Sequence, residues 1–294
     1  MKNKVMKVKF PSANPDWARK SDVTESGQWH KYYSTHPQYV LNLLLKGGAE
    51  VEMVPATYFG CRSTVSFDCL IDGHLCKFDF NDHEIIDRTE SVKYKAYFKF
   101  HYHESHNVAP NEKNLFPFSP VNFHDWDLYN NLKPSINYKA TGKVLNNQAA
   151  SGAAVERRNY VAKILQEQFP EDLDMTRYPK EEFYNLINNA SAIVCVPGAR
   201  NDMLDRGQGQ QMGFGACTIS PKLNTRLSYH GMLIPGTHYV ECKPDYSDLI
   251  DKVNWVRANT SNAIEIGKNA KKLFLETSTP AKQVEWIKQC VNTI

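Results

Sequence analysis

No stretch of the chain reaches the roughly 18 consecutive apolar residues that a membrane-crossing helix requires, so no part is expected to span a membrane. The opening Met1-Lys2-Asn3-Lys4 lacks an apolar signal core. There is no phosphate-binding P-loop and no GxGxxG dinucleotide fingerprint. Internal repeats and low-complexity tracts are also missing, which argues against repeat arrays and disordered tails. Cysteine is sparse and its spacing uninformative: seven residues, an odd count, with no CxxC pair. That disfavours a disulfide framework or a zinc ribbon. Most of the cysteines sit in apolar runs such as Ile193-Val194-Cys195-Val196, as buried thiols in a reducing compartment do. A cytoplasmic protein is expected. The net charge of +3 is too small to attract nucleic acid through a global field. The first 31 residues do hold seven Lys/Arg against three acids. That basic edge reads first as solvated surface and second as a phosphate contact.

What is present suits a globular chain able to bury a sizeable core. The 294 residues fit two domains of roughly 130–150 residues each. Residues 4–10 alternate as a strand, 36–46 read as a helix stopped at Gly47-Gly48, and 50–54 as a second strand. This strand–helix–strand opening predicts parallel pairing. Residues 63–71 and 74–80 form a hairpin pattern about Asp72-Gly73. Residues 94–103 alternate as a strand, and the Pro- and Asn-rich 105–125 reads as a long loop. The second half alternates more cleanly. Strands are expected over 135–145, 192–196, 216–220 and 238–242, and helices over 154–168, 180–189, 205–214, 245–258, 261–276 and 280–293. The alternation predicts a doubly wound sheet. The organisation expected is an N-terminal acceptor-binding domain over 1–133, a donor-binding domain over 134–276, and a helix at 277–294 that packs back toward the first domain.

The sharpest segment runs from Val196-Pro197-Gly198-Ala199-Arg200-Asn201-Asp202 through Asp205-Arg206-Gly207-Gln208-Gly209-Gln210-Gln211 to Phe214-Gly215-Ala216-Cys217-Thr218-Ile219. A buried strand ends in a Gly-containing loop, a glycine-rich helix follows, and then a short β-branched strand. In an open α/β sheet a ligand sits beyond the carboxyl ends of such strands. Helix-start amides favour anions there, and Arg200 and Arg206 add guanidiniums suited to a diphosphate. Arg157 and Arg158 open the 154–168 helix, where one of the pair would reach the same anion; surface arginine is the plainer alternative.

This segment resembles the donor-binding signature of GT-B glycosyltransferases. That pattern has an acidic residue, seven intervening residues, and a second acidic residue on a small-residue helix. Here the two positions fall on Asp202 and Gln210. The second departs from the family's carboxylate, although an amide still bonds ribose hydroxyls. Leu233 to Val240 and Asp245 to Ile250 are similar to the late strand and capped helix of CAP10-like donor domains, with Asp245 as the expected cap. The resemblance implies two Rossmann-like α/β domains facing a cleft. It implies a glycosyltransferase that uses a nucleoside-diphosphate sugar, UDP-sugar first, with no cofactor required and no metal. The donor-binding residues it implies are Arg157, Arg158, Gly198, Arg200, Asp202, Arg206, Gln210 and Gln211. The whole chain is also similar to phage enzymes that glycosylate or arabinosylate 5-hydroxymethylcytosine in DNA. This implies double-stranded DNA bearing that base as a partner, and host cytoplasm as the location if the source is viral. A glycan or protein acceptor is the alternative.

The N-terminal half must then supply the proton acceptor. Asp82 and His83 follow a strand, His101 and His103 share a strand face, and Asp22 lies in an early loop. Asp82, His83 and His101 are the catalytic candidates. Phe123-His124-Asp125-Trp126 reads as an acceptor platform or as packing. A rival class arises from His101-Tyr102-His103-Glu104-Ser105-His106, which nearly matches the metal-binding run of metallo-β-lactamase-like hydrolases. That run has Asp where Ser105 stands, and the surroundings of His124, His230 and His238 do not supply the remaining ligands. A third class is a non-catalytic nucleotide-sugar or nucleic-acid binder.

Overall fold

The computed structural model describes residues 5–12, 35–59, 65–81, 91–103, 113–119, 126–150 and 152–293. The chain divides into two compact units. Unit 1 comprises Met1–Ser119, Arg226–His230 and Thr277–Ile294, and unit 2 comprises Pro120–Thr225 and Gly231–Glu276.

In unit 1, β1 (Lys7–Pro11) leads to α1 (Thr35–Lys46) and then β2 (Glu50–Val54). β1 and β2 pair in parallel, Lys7 opposite Glu50 through Pro11 opposite Val54, as a strand–helix–strand crossover should. Gly48 ends the helix at φ 85°, in the left-handed region that glycine enters without strain. β3 (Ser66–Ile71) and β4 (His74–Asp79) form the expected hairpin. Its turn residues Asp72 and Gly73 have φ 48° and 86°, the geometry that matches strand twist. β5 (Ala96–Lys99) and β6 (Leu115–Pro117) extend the sheet in parallel with β4, giving the order β2-β1-β3-β4-β5-β6. The strand expected over 94–103 is therefore limited to four residues: Phe100 already turns away. β6 falls inside the stretch expected to be loop.

Alternation in these strands separates two chemistries. One face carries Phe67, Phe78 and Phe98, and Phe78 stacks on Phe98 with ring centroids 5.0 Å apart. The other carries Asp79 and Lys99 as a buried ion pair at 3.1 Å, with Tyr97 Oη donating to Asp79 Oδ2 at 2.7 Å.

Unit 2 opens with α2 (Trp126–Leu132), which the sequence did not announce. The chain continues through β7 (Lys143–Leu145), α3 (Val155–Gln168), β8 (Leu173–Asp174), α4 (Lys180–Asn185) and β9 (Ala190–Val194). Then come α5 (Arg206–Phe214), β10 (Thr218–Pro221), β11 (Val240–Cys242), α6 (Leu249–Ala258) and α7 (Thr260–Thr277). The strands pair in parallel in the order β11-β10-β9-β7-β8. This is the doubly wound α/β sheet the alternation predicts. The strand expected over 135–145 shrinks to Lys143–Leu145, because Ala140 at φ 54° and Gly142 at φ 99° leave extended geometry. The helix expected from Asp245 starts at Leu249. Asp245 Oδ1 instead accepts from Ser247 N at 3.0 Å, so it closes a local turn and does not cap the helix.

The last helix, α8 (Pro280–Thr293), belongs to unit 1. Its Trp286 Nε1 donates to Pro117 O at 2.8 Å. At Gly47 a Cβ would come within 2.6 Å of Pro280 O, so α1 and α8 pack closely there. Among the described residues six cysteines are buried and unpaired: Cys69, Cys76, Cys195, Cys217, Cys242 and Cys290. Burial pushes the thiols of Cys76, Cys217 and Cys242 up to about 12.

Candidate functional site

The connectivity of unit 2 marks one place in its sheet. From β7 the chain steps outward to β8, then returns to the other side of β7 and proceeds through β9, β10 and β11. The direction of winding reverses between β7 and β9, and a crevice opens beyond their carboxyl ends. Side chains replace the backbone ladder where the two strands part. Asn146 Nδ2 donates to Val194 O at 3.0 Å, and Val196 N donates to Gln148 Oε1.

A cavity of about 330 Å³ lies there. One wall is the start of α5, with Asp205, Arg206, Gly207 and Gln210. Residues after β8 and on α4 make another, including Arg177, Tyr178, Lys180 and Phe183. Asn147, Gln148 and Ala149, which follow β7, line it as well. Asp205 is the one carboxylate among the described lining residues, and Arg158 Nη2 lies 3.1 Å from its Oδ2. With that pair balanced, Arg177 and Arg206 leave the cavity positively charged. Its size falls within the range of small-molecule sites.

α5 is placed by its ends. Asp205 Oδ1 accepts from Gly207 N at 2.9 Å, a regular N-cap. Gly215 at φ 93° closes the far end. The helix start therefore offers a capped amide at Gly207 beside an arginine. Its middle is buried: Gln208 Nε2 donates to Thr218 Oγ1 and Ser220 Oγ at 3.1 and 2.9 Å. Gln211 Oε1 accepts from Cys195 Sγ at 3.3 Å.

A second cavity of about 360 Å³ lies at the carboxyl ends of β9, β10 and β11. Arg200 and Asp202 line it as a bidentate pair, with both nitrogen–oxygen distances 3.0 Å. Asn224 Nδ2 also donates to Asp202 Oδ2 at 3.0 Å.

The residues singled out in the sequence thus separate. Arg158, Arg206 and Gln210 line the first cavity, and Arg200 and Asp202 the second. Arg157 donates to Gly198 O, and Gln211 points its amide to Cys195. His101 is half-buried in unit 1, edge-on to Phe100 with centroids 4.7 Å apart. Asp82, His83, Asp22, His106 and His124 lie outside the described residues. Among the described residues, no group of three or more His, Cys, Asp or Glu could hold a metal ion. Sequence reasoning missed Asn147, Gln148, Arg177 and Lys180. The run Asn146-Asn147-Gln148 directly after a strand was the available signal, since buried amides at a strand end need partners.

Comparison with known proteins gives a fold and little more. No family model matches the sequence. A 49-residue stretch is 37% identical to the uncharacterized protein 035R of Invertebrate iridescent virus 3, covering 17% of this chain and 4% of that protein. A glycosyltransferase structure from Rickettsia africae superposes with TM-score 0.48 at 9% identity, over 74% of this chain and 69% of that one. HepE of Anabaena in complex with UDP superposes with TM-score 0.50 at 10% identity, over 69% of this chain and 65% of HepE. The chain thus spans slightly under two thirds of HepE and a small fraction of the viral protein. At such identity the likeness to HepE is one of fold: the chain has the mixed α/β, parallel-sheet architecture of that protein.

Proposed function

We propose that the chain is a glycosyltransferase that holds the diphosphate of a UDP-sugar in the cavity between the ends of β7 and β9. The single observation that carries this reading is the coincidence of topology and charge. The winding reversal puts a crevice where α/β sheets take ligands, and Arg177, Lys180 and Arg206 line that crevice. Gln210 on the same wall suits a ribose hydroxyl, in keeping with the donor-signature resemblance. HepE, which shares the fold, was crystallised with UDP.

In the reaction, the acceptor oxygen bonds to the anomeric carbon as the bond from that carbon to the β-phosphate oxygen breaks. UDP departs with the electron pair, and the acceptor's proton passes to a base. The cationic wall would offset the charge that grows on the leaving diphosphate. For the base the reading keeps Asp82, His83 and His101. For the acceptor it takes the hydroxymethyl group of 5-hydroxymethylcytosine in DNA, supported by the resemblance to phage DNA-modifying enzymes.

The test is incubation with UDP-sugars and hydroxymethylated DNA, plain DNA or a glycan, followed by mass analysis of the acceptor. The expected result is a gain of one glycosyl unit on the modified nucleoside. Gain on the glycan alone replaces the acceptor and keeps the reaction. Failure to bind UDP and to modify any acceptor overturns the reading.

A further inference from the structure

Arg177 lines the cavity from the connection between β8 and α4, where residues 175–179 are neither helix nor strand. It is exposed and joins no ion pair among the described residues. The residues on both sides of it are nevertheless tied down, and one carboxylate does most of the tying. Asp174 ends β8, pairs with Leu145 in the sheet, and accepts at its carbonyl oxygen from Asn146 N at 3.0 Å. Its Oδ1 accepts from Thr176 N at 2.9 Å, and its Oδ2 accepts from Tyr178 Oη at 3.0 Å. Asn147 Nδ2, just after β7, donates to Thr176 O at 2.8 Å. The residue before Arg177 and the residue after it are thus both bonded to a side chain rooted in the sheet.

A guanidinium on an unanchored loop loses affinity, because the ligand must order the loop as it binds. Here bonds already made within the protein fix the backbone from which Arg177 extends. The charge of Asp174 works the other way. Through space a carboxylate repels an anion, so a carboxylate near a cationic cavity needs a reason to be there. Asp174 is not among the residues that line the cavity, and both of its oxygens are engaged by the loop.

We propose that Asp174 is a positioning residue of this site. By bonding both neighbours of Arg177 it sets the guanidinium where a phosphate of the ligand meets it. Asp174 touches no ligand atom and acts only through Arg177. This rests on the reading of the cavity as a nucleoside diphosphate site. Positioning and bare charge give opposite signs. If Asp174 acted by charge alone, its removal would tighten anion binding; if it holds Arg177, removal weakens binding, and only while Arg177 is present.

The test is calorimetric titration of the full chain with inorganic pyrophosphate and with UDP, with melting temperatures recorded alongside. Arg177→Ala should weaken both ligands at least about tenfold, the loss of a charge-assisted contact, with little change in melting temperature. Asp174→Ala should weaken both ligands too. In the Arg177→Ala background the same change should weaken them no further, the coupling a shared action requires. Asp174→Asn should bind within about twofold of the parent or tighter, because its oxygen still accepts from Thr176 N and its amide can donate to Tyr178 Oη. Where Asp174→Ala does not fold, Tyr178→Phe removes one of the two anchoring bonds and keeps the ring. Its loss, too, should vanish in the Arg177→Ala background. Losses that simply add, or a variant lacking either bond that binds as tightly as the parent, overturn the positioning role. An Arg177→Ala protein of parental affinity also overturns it and leaves an anion site without Arg177. Binding of neither ligand by the unaltered protein removes the nucleotide reading and this inference together.

Discussion

Arg158 and Asp205 are joined beside the cavity, with Arg158 Nη2 3.1 Å from Asp205 Oδ2. The same guanidinium donates to Val196 O at 3.0 Å and to Ala149 O at 2.7 Å. One side chain of α3 thus ties the segments after β7 and β9 to the cap of α5. Its side chain is 12% exposed and that of Asp205 19%, so solvent screens the pair little. Arg158→Ala is expected to lower unfolding free energy by about 2–4 kcal/mol, because it strands a carboxylate and two carbonyls. Arg158→Lys should recover only part, since one ammonium lacks the planar fork. Urea denaturation measures both. A midpoint unchanged in Arg158→Ala would contradict the bracing role.

Arg206 gives the opposite expectation. It is exposed at the first turn of α5 and lines the cavity. Arg206→Ala should leave thermal stability nearly unchanged. UDP affinity, and kcat/KM with a competent donor, should fall at least about tenfold, a loss of about 1.4 kcal/mol. Raising ionic strength should weaken the unaltered protein more than the variant. Equal affinities at low salt would remove Arg206 from the site.

Much of this arrangement was legible in the sequence, for local reasons. The Asp72-Gly73 turn, the stop at Gly47-Gly48 and the α5 helix are written in nearby residues, and each forms within one or two residues of its expected bounds. The strand expected over 94–103 is too long because His101 and His103 prolong an alternation that backbone geometry ends at Lys99. β8 is invisible to periodicity because two residues carry no period. The cavity divides along the same line. Arg158, Arg206 and Gln210 announce themselves through helix position. Asn147 and Arg177 come from different connections, and only the parallel sheet brings them to one mouth.

His238 sets a pH expectation for unit 2. Its Nδ1 accepts from Ile234 N at 3.0 Å, which requires the neutral ring. Burial holds its pKa below the ordinary 6.5. The unfolded chain therefore takes up a proton at a pH where the folded chain has not. The stabilising contribution is full above about 6.5 and declines as pH falls from there toward the folded value. Below the folded value it is level. His230 in unit 1 is lowered in the same sense, by burial first and Arg226 second. Denaturation midpoints measured between about pH 7 and 5 should fall, and His238→Gln should flatten part of that slope. An identical slope in the variant would show that His238 does not contribute.

Gly267 on α7 meets the end of α5 at closer range than any side chain allows. A Cβ built on Gly267 would sit 2.1 Å from Gly215 O and 3.1 Å from the Ala216 carbonyl carbon. Backbone on both sides leaves nothing flexible to yield. Gly215 itself holds φ 93° as the residue that ends α5. Gly267→Ala must therefore push α7 away or distort the α5 terminus. Alanine would otherwise favour a helix interior by about 1 kcal/mol over glycine. Here overpacking should reverse the sign and destabilise by roughly 1–3 kcal/mol. Because α5 carries Arg206 and Gln210, the same substitution should also weaken UDP binding with no change to any residue that lines the cavity. Lys268→Ala, at the exposed neighbouring position of α7, is the control and should leave both properties alone. A Gly267→Ala protein as stable as the parent would mean that the two helices are not in contact as described.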